Sequence, residues 1–213
     1  MSFSSWNGFY LHAKWAGVRN EALERMLSML KDPSLVLDVG CGDGRYLLQL
    51  KPSLKVVGLD SSDVALGVAA SRLCARHLTH PLMCADALFL PFKDGTFDAV
   101  LCLGVVHHLL SAQRAGVMGE LKRVLRCGAL LCMSVHGADD MRCGAGRCIE
   151  EGTYLKGNGI LTHYFTLEEM SNLLSGFELV WMDERRHKKQ LGRGTYIRHE
   201  LMAVARKLNC LVK

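Results

Sequence analysis

The chain has 213 residues, of which 49% are hydrophobic and 22% are charged, with 21 Gly but only 4 Pro. This composition excludes a disordered or fibrous chain and favours one globular domain spanning residues 1–213. The longest apolar stretches, such as Val100–Val106, are much shorter than the roughly 18 residues that a membrane helix requires, so we expect no membrane association.

The cysteines and the N-terminus point to a reducing compartment. Residues 1–10 lack the basic start and apolar core of a secretory signal. The nine cysteines are an odd number, and most lie in apolar runs, where cysteine behaves as a small hydrophobe. We therefore expect no disulfide framework and a cytoplasmic location, with the nucleus left open as a second compartment.

The net charge of +5 is concentrated at the C-terminal end. Residues 1–183 hold 17 Lys and Arg against 19 Asp and Glu, whereas residues 184–213 hold 9 against 2. A basic segment of this kind is typical of an enzyme that acts on a polyanion, because neutralising phosphates releases counterions. A solvated basic surface without a partner is the alternative on charge alone.

The first two thirds of the chain alternate between strand and helix patterns. Apolar residues recur at helical spacing from Val18 to Leu30, which predicts an amphipathic helix. Strands alternating with helices indicate βαβ units and a parallel sheet covered on both faces. The predicted strands are Leu35–Leu37, Lys55–Leu59, Leu82–Cys84, Phe97–Leu103 and Ala129–Val135, and the predicted helices between them run from Asp63 to Arg76 and from Ser111 to Leu125.

The sequence pattern changes after the fifth predicted strand. Residues 136–159 contain six glycines and no clear periodicity, which predicts a long loop that is either functional or disordered. Thr166 and Glu169 have the spacing of a capping box, so we predict a helix that ends before Gly176.

Two further strands are predicted near the C-terminus. Phe177–Met182 and Ile197–Ala205 have apolar strand patterns, and they flank the basic segment 184–193. An antiparallel pair that closes one edge of the sheet is the simplest arrangement.

A glycine-rich loop follows the first predicted strand. Asp38 precedes Gly40, Gly42 and Gly44, and glycines at these positions let a ligand approach the main chain closely. The first strand-to-helix turn of a doubly wound sheet is where a nucleotide-like cofactor binds. The spacing is not the Gly-x-Gly-x-x-Gly of dinucleotide folds, and an acid such as Asp38 repels a pyrophosphate but attracts a cation. A purely structural tight turn is the alternative for the glycines by themselves.

A second acid lies where the ribose of such a cofactor would bind. Asp60 ends the second strand, next to Ser61, and is placed to accept hydrogen bonds from both ribose hydroxyls. These residues suit a cofactor that has a ribose and a cationic amino-acid end but no phosphates. S-adenosylmethionine is such a cofactor. Asp86 and Ala87 are candidate contacts of its adenine, although Asp86 also suits a turn, and Leu103 at the end of the fourth strand is a further candidate contact.

Two adjacent histidines end the fourth strand. His107 and His108 lie at the carboxyl edge of the predicted sheet, where ligands bind in such folds, and are candidates to line the site. Neighbouring residues do not face together, and no Cys-x-x-Cys accompanies them, which argues against zinc. Cys143 and Cys148 form only a weak candidate pair, so we predict no metal site.

These motifs together carry a family resemblance over residues 35–135. The chain resembles class I S-adenosylmethionine-dependent methyltransferases, and more narrowly the eukaryotic family that methylates the carboxymethyl group on the wobble uridine of tRNA. The resemblance implies a Rossmann-like, seven-stranded, mostly parallel sheet with helices on both faces and an antiparallel C-terminal strand pair. The matching segments are Val36–Leu47, Asp86–Phe92, Phe97–Ala99, Val105–Leu109 and Glu120–Leu125.

The resemblance also implies roles for residues outside the cofactor motifs. Lys14, Arg45, His107 and His163 are candidates to meet the anionic carboxymethyl group, with Lys14, His107 and His163 assigned as catalytic. Trp15 and Tyr164 are candidates to stack on an extruded base of the anticodon loop, or are ordinary core residues. The remaining candidate substrate-binding residues are His108 and, for the tRNA phosphates, Arg185, Arg186, Lys188, Lys189, Arg193 and Arg198.

Members of this family work with a small zinc-binding activator protein, so the resemblance implies such a partner. The Met- and Cys-rich segment Leu82–Cys84, with Leu88 and Phe89, is a candidate apolar patch for it, or alternatively ordinary core. Two other functions stay open. One is a small-molecule or lipid methyltransferase of the same fold, and the other is a non-catalytic protein that binds the cofactor.

Overall fold

A seven-stranded sheet forms the centre of the computed structural model, which describes residues 3–11, 19–191 and 194–208. The strand order is β3-β2-β1-β4-β5-β10-β9, and only β10 runs antiparallel to its neighbours, β5 and β9. The sheet is therefore the mostly parallel, Rossmann-like sheet that the sequence predicts, with an antiparallel C-terminal pair. The strands of the chain are β1 (Leu35–Val39), β2 (Lys55–Asp60), β3 (Leu82–Cys84), β4 (Phe97–Leu103), β5 (Leu125–His136), β6 (Arg147–Glu150), β7 (Thr153–Leu155), β8 (Leu161–His163), β9 (Phe177–Leu191) and β10 (Gly194–Lys207).

The helices begin where their caps are encoded. Side chains of Asn20, Ser62 and Thr166 accept hydrogen bonds from backbone N–H groups of the first turns of α2, α3 and α5, and Glu169 completes a capping box with Thr166. None of the helices in the described ranges is long and apolar enough to span a bilayer. The helices are α1 (Phe3–Tyr10), α2 (Glu21–Met29), α3 (Asp63–Cys74), α4 (Ser111–Val124) and α5 (Leu167–Leu173).

The core lies on both faces of the sheet, because alternate side chains of a strand point to opposite faces. On β4, Val100 and Cys102 pack with Leu121 of α4 on one face. Leu101 packs with Leu23 of α2 on the other face. The sheet is thus packed on both faces, and it positions the loops at the carboxyl ends of its strands.

The prediction of a structureless loop over residues 136–159 is wrong. β6, β7 and β8 form a separate three-stranded antiparallel sheet within and just after it. Each strand has only three or four residues, which is too short for a hydrophobic period to show among the glycines. Glu150 anchors this small sheet to α4, because its carboxylate accepts a 2.9 Å hydrogen bond from the Ser111 N–H and lies 3.2 Å from the Arg114 guanidinium.

The C-terminal strands are longer than predicted. The basic segment was expected to connect two strands, but β9 continues through it to Leu191 and pairs with β10 along its length. The sequence pattern did not predict this part of the strand, because charged residues at successive positions leave neither of its faces apolar. β10 pairs with β5 only from Glu200 to Arg206, so residues 186–191 and 194–199 project beyond His136 at the carboxyl end of β5. These residues, together with Glu184 and Arg185 opposite Leu201 and Glu200, are called here the basic arm. Six residues of strand extend about 20 Å.

Candidate cofactor and acceptor site

A cleft of about 850 Å³, open to solvent, lies at the carboxyl ends of β1, β2 and β4. The loops after these strands form its floor, and α1 forms part of its wall. The carboxyl edge of a doubly wound sheet is the expected place for a ligand. The lining residues are Trp6, Tyr10, Gly40, Leu59, Asp60, Ser61, Ala85, Asp86, Ala87, Leu88, Gly104, Val105, His108, Leu109 and Gln113.

The glycine loop after β1 is tied to the end of β2. The N–H groups of Gly40 and Cys41 donate to the carbonyl oxygen of Leu59 at 2.7 and 2.9 Å, and the Gly42 N–H donates to Oδ2 of Asp60 at 2.8 Å. Gly42 has a φ of +53°, and a Cβ at this position would lie 2.3 Å from the Tyr10 hydroxyl oxygen. Both the backbone conformation and the close approach of Tyr10 therefore require glycine at position 42.

Asp60 is held rigidly at the edge of the cleft. Its Oδ1 accepts a 2.9 Å hydrogen bond from the Ser62 N–H, while Oδ2 is bonded to Gly42. Burial raises the pKa of the Asp60 carboxyl from its ordinary value. Each oxygen keeps a further lone pair, so this fixed carboxylate can accept hydrogen bonds from a diol such as a ribose. Ser61 lines the cleft beside it.

Asp38 is a buried carboxylate that forms no ion pair with the residues that the structure describes. Its side chain is almost fully buried, and Oδ2 has no hydrogen-bond partner among the described residues. Burial, together with the nearby charge of Asp60, raises the pKa of Asp38 to about 8. A cationic ligand group near Asp38 would restore the favourable state of the ionised carboxylate.

The loop after β3 supplies the opposite end of the cleft. Oδ1 of Asp86 accepts a 2.9 Å hydrogen bond from the Leu88 N–H, so Asp86 stabilises a turn and also lines the cleft with Ala87. Four predicted cofactor contacts, Asp38, Gly42, Gly44 and Leu103, are not among the cleft-lining residues. Leu103 is part of the buried core at the end of β4, and Gly44 packs against Ala69 of α3.

Helix α1 covers the glycine loop, and sequence reasoning missed it. Trp6 and Tyr10 line the cleft, while Asn7 joins α1 to the start of α3 by accepting a 2.6 Å hydrogen bond from the Ser62 hydroxyl. Burial raises the pKa of Tyr10 strongly, so its hydroxyl stays protonated. The spacing of Trp6, Phe9 and Tyr10 on one helical face was the available signal.

The two predicted histidines have different environments. The His107 ring is buried and stacks on His136 at a centroid distance of 4.0 Å, whereas His108 lines the cleft with its ring 4.7 Å from that of Trp6. Nδ1 of His107 has no partner in the described chain. Burial lowers the pKa of His107 and of His136 well below the ordinary value, so both rings are neutral near pH 7.

His163 ends β8 of the small sheet and Tyr164 follows it, and neither is among the cleft-lining residues. Nδ1 of His163 is 2.8 Å from the Thr153 hydroxyl, and its Nε2 is 3.5 Å from the Glu169 carboxylate. The ring of Tyr164 is buried beneath the Lys156 ammonium, which lies 4.9 Å from the ring centre.

Arg45 is already engaged by an acid. Its guanidinium lies 3.0 Å from the Asp43 carboxylate, which also pairs with Arg72 of α3. These contacts brace the glycine loop against α3. Three other predicted residues, Lys14, Trp15 and Arg193, lie outside the described residues.

Residues 36–128 match the methyltransferase domain family. A Drosophila melanogaster tRNA N(3)-methylcytidine methyltransferase is 27% identical over 160 residues, which cover 70% of this chain and 49% of that protein. An Arabidopsis thaliana tRNA (carboxymethyluridine(34)-5-O)-methyltransferase is 31% identical over 128 residues, or 60% of this chain and 29% of that protein. The Thermus thermophilus demethylmenaquinone methyltransferase is 39% identical over 108 residues, or 49% and 48%.

The fold has close counterparts among solved structures. A Methanosarcina mazei S-adenosylmethionine-dependent methyltransferase superposes with a TM-score of 0.73 at 22% identity, covering 90% of this chain and 99% of that one. The chain resembles the class I S-adenosylmethionine-dependent methyltransferases. It spans about half of the length of the fly relative and less of the plant relative.

S-adenosylmethionine is the cofactor that this methyltransferase cleft fits. The unpartnered Asp38 carboxylate suits the cationic amino-acid end, and the fixed Asp60 carboxylate suits the ribose. Asp86 and Ala87 lie at the far end of the cleft, where the adenine would be. The glycine loop leaves no room for a Cβ where the backbone meets Tyr10.

The basic arm carries cations that are neutralised and cations that are not. Arg186 pairs with Asp139 at 2.7 Å and with Glu184, and Arg198 pairs with Asp140 at 2.9 Å. In contrast, no carboxylate of the described chain forms an ion pair with the three remaining cations of the arm. These are Arg185, Lys188 and Lys189.

Proposed function

We propose that this chain transfers a methyl group from S-adenosylmethionine to the carboxymethyl group of a wobble uridine in tRNA, and so forms the methyl ester. The observation that carries the proposal is the position of the basic arm, which projects beyond the same sheet edge that holds the cofactor cleft. The similarity to tRNA methyltransferases from fly and plant supports an RNA acceptor.

The chemistry requires positioning more than proton transfer. When bound, S-adenosylmethionine supplies a methyl group on a positively charged sulfur. The acceptor carboxylate would have to be held in line with that methyl group, which is a task of positioning. A carboxylate is already ionised at pH 7 and needs no general base, so the neutral state of His107 is compatible with the reaction.

The chain's own residues then have distinct roles. We assign Asp38 to the cationic amino-acid end of the cofactor and Asp60 to its ribose, and Trp6 with Tyr10 would shield the reacting groups from water. Lys14 remains our proposed cationic partner of the carboxymethyl group, and Trp15 the surface on which the base stacks. His163 contacts the Thr153 hydroxyl within the small sheet, and Tyr164 is buried just after it, so neither is assigned a contact with the acceptor.

We also propose that the basic arm binds the RNA backbone. The unpaired cations Arg185, Lys188 and Lys189 would neutralise phosphates while the anticodon loop reaches over the carboxyl edge. Arg193, which lies outside the described residues, belongs to the same proposal. Contacts of this kind give affinity and orientation, whereas the base is recognised in the cleft.

An activator protein is proposed to bind the opposite edge of the sheet. β3 is an edge strand, and edge strands offer unpaired backbone groups to a partner. Met83 on β3 is 37% exposed, and Phe89, just beyond it, is 78% exposed. A small zinc-binding partner that covers these side chains would protect an apolar surface from water.

The proposed reaction is tested by incubating the chain, alone and with the activator, with methyl-labelled S-adenosylmethionine and tRNA from cells that lack the methyl ester. Digestion to nucleosides should place the label in a carboxymethyluridine methyl ester that mild alkali hydrolyses. Label in an alkali-stable nucleoside would contradict the proposal.

A small-molecule or lipid methyltransferase is the second candidate, and the similarity to the demethylmenaquinone methyltransferase favours it. In that case the basic arm would not contact the substrate. Retention of the chain on immobilised tRNA that weakens steeply with salt supports the RNA acceptor, whereas salt-independent weak retention supports the small molecule. Methyl transfer to any acceptor excludes a non-catalytic binding protein.

A further inference from the structure

His108 presents a hydrogen-bond acceptor to the cleft. Its Nδ1 is 2.7 Å from the carbonyl oxygen of Leu161, and a carbonyl can only accept, so Nδ1 carries the proton. Burial lowers the pKa of His108 to about 4, so the ring is neutral near pH 7. Nε2 is then unprotonated, and none of the other described residues forms a hydrogen bond with it.

Gln113 presents a donor to the same cleft. Its Oε1 accepts a 3.2 Å hydrogen bond from the Leu110 N–H at the start of α4, which fixes the orientation of the amide. The Nε2 amino group therefore points away from that backbone group, and within the described ranges it has no hydrogen-bond partner. His108 and Gln113 both line the cleft, from the turn before α4 and from the first turn of α4.

A cyclic imide edge requires an acceptor and a donor from its binding site, and His108 and Gln113 supply these two groups to the same cleft. Uracil presents the N3–H donor next to the O4 carbonyl acceptor, whereas cytosine presents an N3 acceptor next to an amino donor. Cytosine would place a lone pair against Nε2 of His108 and an N–H against the amino group of Gln113. Both contacts would leave polar groups without partners, which is costly in a partly buried site.

We infer that His108 and Gln113 read the imide edge of the acceptor base, and so select uracil over cytosine in the methyl-transfer site. This inference rests on the proposed function for the location of the base in the cleft. It assigns His108 as a positioning and specificity residue, whose neutral ring accepts the N3–H of the base.

The test compares two anticodon stem-loop RNAs, one with 5-carboxymethyluridine and one with 5-carboxymethylcytidine at the wobble position. For the unsubstituted chain we expect kcat/KM to be about 100-fold higher for the uridine RNA. His108→Asn keeps a donor for Leu161 but lacks the Nε2 acceptor, so this preference should fall about 10-fold. His108→Gln, whose amide oxygen can reach the Nε2 position, should restore most of it.

Gln113→Glu keeps an oxygen for the Leu110 N–H but replaces the donor with an acceptor. The uridine RNA should therefore lose about 10-fold or more in kcat/KM, while the cytidine RNA should lose much less. His77→Asn, at an exposed position after α3, is the matched control and should leave the preference unchanged.

The outcomes separate the inference from the proposed function. Binding of the two RNAs in the presence of S-adenosylhomocysteine is measured alongside turnover, with cofactor affinity as the check that each variant is folded. If neither RNA is methylated, the proposed function fails, but a binding preference for uridine that His108→Asn removes still supports the inference. Equal binding of both RNAs, or an unchanged preference in both His108→Asn and Gln113→Glu, overturns it.

Discussion

The backbone N–H of Gly42 donates a 2.8 Å hydrogen bond to Oδ2 of Asp60, and this contact joins the loop after β1 to the end of β2. The carboxylate that would hold the ribose is thus also the group that fixes the glycine loop. Because one side chain has both tasks, the loop and the ribose contact should be lost together.

Asp60→Asn should weaken S-adenosylhomocysteine binding by about 10- to 100-fold, because a charge-assisted acceptor is replaced by an amide with one oxygen. Titration calorimetry measures the change. Asp94→Asn is the control, since the exposed Asp94 only pairs with Arg123, and it should leave the affinity within about twofold. Unchanged affinity in Asp60→Asn would contradict the assigned role.

Asp38 should make the cofactor-free chain less stable as the pH rises. Its folded-state pKa of about 8 lies above that of the unfolded chain, so between about pH 4 and pH 8 the folded state holds a proton that the unfolded state has released. The free energy of unfolding therefore falls across this window. Asp38→Asn cannot ionise and should escape the loss.

Urea unfolding at pH 5 and at pH 8 measures this effect. The stability of Asp38→Asn relative to the unsubstituted chain should rise by roughly 3 to 4 kcal/mol between the two pH values. If the difference in the free energy of unfolding between the two chains does not change with pH, Asp38 is ionised in the folded, cofactor-free state.

The basic arm should control the salt dependence of RNA binding. Replacing Lys188 and Lys189 with Gln removes two cations that lack an acidic partner in the described chain, so the slope of log affinity against log salt should become shallower by about 1 per residue. Filter binding over a range of salt concentrations gives the slope.

A matched pair of lysines at the amino ends of the strands serves as the control for the arm. Lys55 at the start of β2 and Lys93 before β4 are exposed, and replacing both with Gln removes the same charge. The slope should then stay unchanged. An equal effect of both pairs would mean that net charge alone, and not the arm, attracts the RNA.

The edge at β3 should determine whether an activator binds. Phe89→Lys with Met83→Lys places charge on the exposed apolar surface, so the pair should abolish co-purification with a small zinc-binding activator and raise the solubility of the chain alone. Val180→Lys on β9 exposes charge at the other edge of the sheet and should leave co-purification intact. Loss of the complex in Val180→Lys alone would place the partner at β9.

The sequence predicted the parts of the fold that depend on local patterns. Buried strands such as Phe97–Leu103 and the capping box of Thr166 and Glu169 carry short-range signals, and the structure confirms them. The small sheet of residues 147–163 carries no such signal, because its strands are very short and are stabilised by contacts with α4.

The candidate site, too, could be predicted only where local sequence patterns mark its residues. Asp60 and Asp86 were found because they end or follow predicted strands, and both line the cleft. Trp6 and Gln113 were missed, since α1 and the first turn of α4 reach the cleft only through long-range packing. Leu103 and Gly44 were placed in the site by their positions in the motifs, but their side-chain directions and neighbours depend on the packing of the whole sheet.

Titration calorimetry of the chain with S-adenosylhomocysteine tests the central claim most directly. A nucleoside triphosphate serves as the competitor. We predict one site with micromolar or tighter affinity, binding that is about 10- to 100-fold weaker in Asp60→Asn, and no competition by the triphosphate, because the Asp60 carboxylate would repel its phosphates. Absence of binding, or displacement by the triphosphate, would contradict the assignment of this cleft to S-adenosylmethionine.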